Sequence, residues 1–234
     1  MRRHIAILIA VLCVGACAAA ASAAADPPAL FTRPGELLGH TLRFRGTVGA
    51  EQAGRTLQIQ RQVAGAAWTQ TATATVAPDG TFLARWRTDE IGSFAVRALL
   101  AGTQAQAADA LPLTTSVTVY RPARATWFGP GFYGKHTACG QVMSHALLGV
   151  AHRTLPCGTP VSVFFGGKAI TVPVIDRGPF ANGARYDLTS AVAQAVGMTE
   201  TSTVGVVPQR GAFMDPPVPA PSPFAGTGGV TPAP

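Results

Sequence analysis

The sequence of 234 residues lacks the patterns that mark metal-, nucleotide- and nucleic-acid-dependent proteins. It has no Cys-x-x-Cys pair and no cluster of histidines, so we expect no metal site. It has no glycine-rich phosphate loop, so we expect no nucleotide and no other cofactor. Its basic residues are scattered, and no stripe of aromatic and basic side chains occurs, which argues against nucleic acid as a partner.

The N-terminus predicts export. Arg2, Arg3 and His4 precede an apolar run from Ile5 to Val14 that is too short to span a bilayer, and small residues up to Ala25 offer cleavage sites. Residues 1–25 are therefore interpreted as a signal peptide and the mature protein as secreted into the cell envelope. An alternative is lipidation at Cys17, because the preceding Val-Gly-Ala resembles a loose lipobox; the downstream cleavage sites favour release.

The four cysteines agree with export. Cys13 and Cys17 lie in the signal segment, which leaves Cys139 and Cys157 as a pair. We expect a disulfide between them, worth about 3 kcal/mol in the chain-entropy model. Two buried thiols are the alternative. The formal net charge of +7 would draw the protein to anionic wall polymers or phospholipid surfaces.

Residues 26–120 show the alternation of apolar and polar residues that half-buried antiparallel strands require. Examples are Leu42 and Phe44, Leu57 and Ile59, and Phe82 with Trp86. Short strands separated by turns predict an immunoglobulin-like β-sandwich, here without the antibody-type disulfide. We find no chemistry in this half and interpret it as a spacer or adhesion module. Residues 120–124 are expected to be a short linker.

Residues 121–209 contain further short strands and one helical pattern, from Leu188 to Val196, ended by Gly197. Pro173 inside one apolar run predicts a bulge or an edge. Residues 210–234 are mostly Pro, Ala, Gly, Ser and Thr, a composition typical of disorder. The overall prediction is an all-β protein of two domains, with one or two short helices and a disordered tail.

Two carboxylates stand out in the second half. Asp176 ends an apolar run and is followed at once by Arg-Gly-Pro, so a strand would deliver it rigidly to a loop. Asp187 comes next, at the start of the helical pattern. The two could form a general acid/base pair. The simpler alternatives are that Asp176 accepts turn hydrogen bonds and that Asp187 caps the helix.

Four motifs in order place this half beside a known family. They are residues 125–134 (Ala-Thr-Trp-Phe-Gly-Pro-Gly-Phe-Tyr-Gly), 137–140 (Thr-Ala-Cys-Gly), 149–159 (Gly-Val-Ala-His-Arg-Thr-Leu-Pro-Cys-Gly-Thr) and 176–180 (Asp-Arg-Gly-Pro-Phe). The series resembles the RlpA (rare lipoprotein A) family over residues 124–209. The resemblance implies a six-stranded double-psi β-barrel and a lytic transglycosylase that cleaves peptidoglycan between N-acetylmuramic acid and N-acetylglucosamine with 1,6-anhydro products.

The resemblance also implies site residues, position by position. Asp176, Asp187 and His152 fall on the acid of Asp-Arg-Gly-Pro-Phe, the acid of Asp-Leu-Ser/Thr and the histidine of Ala-His-x-Thr-Leu-Pro, and are the expected catalytic residues. His152 is as readily interpreted as a structural histidine. Gln141 stands where the family commonly has Glu, and an amide cannot exchange a proton.

The remaining candidates concern substrate. We expect Gln141, Trp127, Tyr133 and Arg177 to bind it; the aromatic residues could equally belong to the core, and Arg177 could brace Asp176. The partners implied are peptidoglycan glycan strands and other wall polymers, bound by a monomer. Two alternatives stay open: a catalytically silent, expansin-like glycan-binding barrel, and a barwin-like module that binds proteins.

Overall fold

The structure is a computed structural model that describes residues 27–102, 113–181 and 183–209. The predicted signal peptide (1–25) and the predicted tail (210–234) lie outside the described residues. None of the helices within the described ranges is long and apolar enough to cross a bilayer. The regular secondary structure of the described residues is almost entirely strand, as expected from the alternating sequence pattern.

The N-terminal half is built from two sheets that face each other. Its strands are β1 Ala29–Phe31, β2 Gly35–Leu37, β3 Thr41–Thr47, β4 Thr56–Gln62, β5 Thr69–Thr75, β6 Thr81–Arg87, β7 Gly92–Leu100 and β8 Leu113–Phe128. A 3-10 helix spans Ala50–Gln52. One sheet has the order β1-β3-β6, and the other runs β8-β7-β4-β5, with β2 beside β8.

Period-two alternation gives both sheets one apolar face each. In β6 every second side chain is buried and the residues between them are exposed, and β3 follows the same alternation from Thr41 to Arg45. Phe44 and Phe94, from opposite sheets, are among the most buried side chains, and Trp86 packs edge-on against Phe94 at 5.7 Å between ring centroids. The predicted strands are present; the immunoglobulin-like topology stays a prediction.

The C-terminal half is a closed ring of six strands. These are the end of β8, then β9 Val150–Ala151, β10 Pro160–Phe165, β11 Lys168–Asp176, β12 Tyr186–Thr189 and β13 Ser202–Pro208, with helix α1 Ser190–Val196. The order β12-β9-β11-β10-β13-β8 is closed by the pairing of β12 with β8. The predicted double-psi barrel architecture is confirmed. As Pro173 indicated, β11 is irregular: its register against β9 shifts between Val174 and Asp176.

Residues 120–124 are not a linker, contrary to expectation. They lie in the middle of β8, where Arg121–Ala125 pair with β13 and Val119 and Tyr120 pair with β2. Tyr120 is 3% exposed and stacks on Phe164 of the barrel at 4.9 Å, and its hydroxyl lies 3.4 Å from Ser162 Oγ. The backbone there is held by ladder hydrogen bonds, so one strand belongs to both halves.

The helix begins two residues later than predicted. Leu188 and Thr189 complete β12, and the Thr189 side chain accepts a hydrogen bond from the Val192 amide at 3.4 Å. The N-cap is therefore Thr189, whereas Asp187 lies in a strand. Gly197 ends the helix in a left-handed conformation with φ of 82°.

We predict that the packing of Tyr120 couples the two halves. Tyr120→Ala removes a buried ring and should lower the free energy of unfolding by about 3–5 kcal/mol. Tyr120→Phe keeps the ring, loses only a long hydrogen bond and should cost about 1 kcal/mol or less. Urea denaturation followed by tryptophan fluorescence and far-UV circular dichroism measures both. Equal stabilities for the two variants would contradict the role given to the ring.

Candidate active site

Four residues form one row across four strands of the barrel. Asp187 of β12 is paired with Thr126 of β8 on one side and with Ala151 of β9 on the other. Ala151 is in turn paired with Asp176 of β11. Cross-strand partners share a face of the sheet, and all four residues line one cleft of about 500 Å³. The two aspartates predicted from sequence are thus brought together, with only an alanine between them.

Asp176 is held by the backbone. Its Oδ1 accepts hydrogen bonds from the amide N–H groups of Ala138 and Arg177, both at 2.8 Å. Two amide donors on one carboxylate oxygen stabilise its negative charge and fix its orientation. The Asp176 side chain is therefore held in a fixed orientation at the start of the turn that follows β11.

Asp187 has a different environment. Burial raises the pKa of its carboxyl above the ordinary value of 3.8, the hydrogen bond from Thr126 Oγ1 (2.7 Å) opposes that rise, and the negative charge of Asp176 adds to it. The protonated form is thus favoured relative to a free aspartate. Such a shift suits a group that donates a proton and takes one back.

His152 is placed as a structural acceptor. Its Nδ1 accepts the amide N–H groups of Thr154 (3.2 Å) and Leu155 (3.0 Å), which fixes the proton on Nε2. Burial lowers the pKa of the imidazole, and the charges of Arg185, Arg153 and Arg177 lower it further, so the ring is held neutral. The ring packs beside Tyr186 at 4.7 Å and does not line the cleft.

The other predicted substrate residues divide between the cleft and its support. Trp127 lines the cleft, 40% exposed, with its Nε1 donating to the carbonyl of Thr199. Arg177 also lines it, but its guanidinium donates to the carbonyls of His152 and Leu155, as a brace does.

Tyr133 and Gln141 lie outside the cleft lining. The Tyr133 hydroxyl lies 3.0 Å from Ser190 Oγ, and its ring stacks on His145. The Gln141 side chain accepts a hydrogen bond from the Thr137 hydroxyl at 3.0 Å, within the turn that also presents the Ala138 amide. Gln141 therefore supports the loop that holds Asp176.

The predicted disulfide is confirmed and reinforces the same loop. Cys139 is bonded to Cys157, and the Cys139 amide donates to the carbonyl of Ile175, the residue before Asp176. Arg177 Nη2 lies 3.3 Å from Cys157 Sγ. The cross-link thus ties the loop that supplies the Ala138 donor to the strand that carries the acid.

Three features of the site escaped the sequence interpretation. Phe180 is 78% exposed and lines the cleft with Trp127 and Phe132, so three exposed aromatic side chains surround the acids. The Thr126 hydroxyl donates a hydrogen bond to Asp187 and thereby lowers the pKa of that carboxyl. Arg153 donates to the carbonyls of Pro179 and Ala184, which braces the turn that bears Phe180. For Phe180, the sequence signal was its place as the final residue of the Asp-Arg-Gly-Pro-Phe motif.

Within the described ranges, no group of three or more His, Cys, Asp or Glu side chains is placed to hold a metal ion.

Comparison with known proteins bears on the barrel. Residues 120–209 match the family model described as "Lytic transglycolase". A probable endolytic peptidoglycan transglycosylase RlpA of Synechocystis sp. is 36% identical over 118 residues, which cover 50% of this chain and 36% of that protein. The endolytic peptidoglycan transglycosylase RlpA of Campylobacter jejuni is 39% identical over 84 residues, 35% of this chain and 30% of that protein.

Residues 120–209 are an RlpA-like double-psi β-barrel. The matches span about a third of each relative's own length. Among solved structures, a Streptomyces papain inhibitor is similar at 25% identity over 36% of this chain and 91% of its own, with a TM-score of 0.28. A TM-score that low bears on neither fold nor function.

The environment of Asp187 in the RlpA-like barrel predicts a pH-dependent cost to stability. Because folding raises the pKa of this carboxyl, its contribution to stability is fully present below pH 3.8 and is lost as the pH rises through the folded-state pKa. Asp187→Asn cannot ionise and keeps an oxygen for Thr126. We therefore expect the free energy of unfolding of Asp187→Asn, relative to that of the wild type, to be higher at pH 7 than at pH 3.5.

Urea denaturation of both proteins at these two pH values measures the difference. Glu51→Gln, which removes an exposed carboxylate from the 3-10 helix of the N-terminal half, corrects for the loss of one negative charge. A stability difference that does not change with pH would contradict the assignment of a costly charge to Asp187.

Proposed function

We propose that this protein is a peptidoglycan lytic transglycosylase whose acid/base is Asp187. The observation that carries the proposal is the row Thr126–Asp187–Ala151–Asp176, in which two carboxylates share one cleft but have different environments. A carboxyl group that can donate a proton, with a second carboxyl group beside it, is a common arrangement for cleaving a glycosidic bond. The RlpA relatives are named as peptidoglycan transglycosylases, which supports the same substrate class.

The reaction uses Asp187 twice. Protonated Asp187 donates its proton to the glycosidic oxygen, the bond from that oxygen to C1 of N-acetylmuramic acid breaks, and positive charge develops on the sugar ring. The carboxylate of Asp187 then takes the proton of the sugar's own C6 hydroxyl, whose oxygen bonds to C1. The products are a free chain end and a 1,6-anhydro ring, and no water is consumed.

We assign to Asp176 the stabilisation of the positive charge that develops on the sugar ring in the transition state. Its carboxylate is fixed by the Ala138 and Arg177 amides and cannot swing away as the reaction proceeds. A preorganised anion near a developing oxocarbenium ion lowers the barrier without reorganisation. We assign His152 a positioning role, because its Nδ1 organises the turn opposite Asp176 and its backbone N–H donates to the Asp176 carbonyl at 3.1 Å.

The cleft suits a glycan strand. Trp127, Phe132 and Phe180 expose 40%, 51% and 78% of their surfaces beside the acids. Aromatic faces stack on the apolar faces of sugar rings and leave the hydroxyl groups free. We propose that these three side chains hold successive sugars, in a secreted protein that works as a monomer in the cell envelope.

A second function is favoured by one residue. Gln141, where the family commonly has Glu, cannot exchange a proton and is engaged with Thr137. A catalytically silent barrel would keep the aromatic residues and bind glycan without cleaving it. Both functions predict binding to peptidoglycan glycan strands, but only the lytic transglycosylase forms cleavage products.

Mass spectrometry of purified peptidoglycan, with and without stem peptides, distinguishes them. We expect anhydro-ended products from the mature wild type and from Glu51→Gln. Asp187→Asn and Asp176→Asn should each lower product formation by about a hundredfold or more, the scale of a lost acid/base. Circular dichroism verifies that both variants fold. No products from the wild type, with retained co-sedimentation with the wall, would establish the silent barrel.

The hydroxyl of Thr126 tunes the proposed acid. Its hydrogen bond lowers the pKa of Asp187, so Thr126→Val should raise that pKa further. The proton donor then remains protonated to higher pH, and the alkaline limb of the pH–rate profile should move upward. Thr203→Val on β13, outside the cleft lining, is the control and should leave the limb in place. An unmoved or lowered limb in Thr126→Val would contradict the role of Asp187.

A further inference from the structure

The outer face of the β1-β3-β6 sheet carries an arginine cluster remote from any function proposed above. Arg43 and Arg45 of β3 and Arg85 and Arg87 of β6 alternate with buried residues and are all exposed. Arg33, which follows β1, is exposed beside them and lines the same groove as Arg43 and Arg45. We call these five residues the arginine face.

The described part of the chain supplies no acidic partner to the arginine face. Among the described residues, none of its five guanidinium groups takes part in an ion pair or a side-chain hydrogen bond. Arg43 and Arg85 are direct cross-strand partners, and like charges in that position destabilise a sheet. The buried residues that alternate with the arginines supply the core, so the core does not require arginine at these positions. An external anion is the natural counterpart.

The face also has apolar and hydroxyl groups suited to a sugar. Phe31, 66% exposed, lies in one cross-strand row with Arg45 and Leu83. The adjoining groove, about 290 Å³, is lined by Phe31, Thr32 and Thr41 as well as by arginines. The one acid that lines this groove is Glu36. Its carboxylate accepts a hydrogen bond from the Leu37 amide at 2.9 Å and lies 3.6 Å from His40 Nδ1.

We propose that the arginine face is a binding site for an anionic polysaccharide, a linear polymer of sugars bearing carboxylate groups. Exposed arginines are separated by roughly 7 Å along each strand and by roughly 5 Å between strands, so they meet charges that repeat along a chain. Guanidinium groups bind carboxylates through paired hydrogen bonds, and the Phe31 ring offers a stacking surface.

A membrane surface fits this face less well. Its exposed apolar side chains are Phe31 and Leu83, and the arginine in the row between them keeps them from forming a continuous patch. Membrane-binding elements bury a contiguous apolar face at the interface. The site lies wholly on the N-terminal half and uses no residue of the barrel cleft, so it does not depend on the proposed catalysis.

The test uses the mature protein and alginate, a linear polymer of uronic acids, with binding measured by isothermal titration calorimetry. We expect affinity for alginate that falls as salt is raised and no binding to neutral dextran. Arg43→Gln/Arg85→Gln should weaken binding by about tenfold or more, since two charge-assisted contacts are lost. This variant should fold, because it removes a repulsive pair. Phe31→Ala should weaken binding severalfold at unchanged charge.

The matched control is Arg121→Gln/Arg124→Gln, which removes two exposed arginines of β8 and the same net charge. It should bind alginate within about twofold of the wild type. Equal weakening in both double variants would reduce the effect to net charge and overturn the proposal. Binding to phosphatidylglycerol vesicles that exceeds binding to alginate and is lost in Arg43→Gln/Arg85→Gln would overturn the polysaccharide in favour of a membrane.

Discussion

The candidate site depends on one very short strand. β9 contains only Val150 and Ala151, yet it lies between β11 and β12 and pairs with both. Ala151 is the partner of Asp176 on one side and of Asp187 on the other. The Cα atoms of the two aspartates are therefore separated by two strand spacings, roughly 10 Å. The small side chain between them leaves the space in which both carboxylates face the cleft.

The surroundings of the two acids give them different chemistry. Asp176 ends a strand, so the amide of the next residue, Arg177, can bind its oxygen, and the disulfide-linked loop adds the Ala138 donor. Asp187 lies inside a strand whose amides belong to the ladder with β8 and β9, so its described side-chain partner is the Thr126 hydroxyl. Position within the sheet thus decides which acid is held by backbone amides and which is buried and costly to ionise.

Local patterns predicted much of this structure, and long-range pairing accounts for the rest. The period-two alternation located strands such as β3 and β6, and the cysteine count located the disulfide. Residues 120–124, predicted to be a linker, instead continue β8, where Pro122 is paired with Gly205 of β13. The row through Ala151 was not predictable, since it arises from one antiparallel and two parallel strand pairings between segments distant in sequence.

The distribution of charge is more informative than its sum. A formal net charge of +7 indicates only a general attraction to anions. The alternation that buries Leu42 and Phe44 necessarily turns Arg43 and Arg45 to the opposite face, and the antiparallel register sets Arg85 beside Arg43. The pattern that predicted a core therefore also contained a charged surface. Because β8 runs through both halves, the strand that begins in the N-terminal half also places Thr126 beside Asp187. A polymer bound to the N-terminal half would therefore be held by a domain that shares a strand with the barrel cleft.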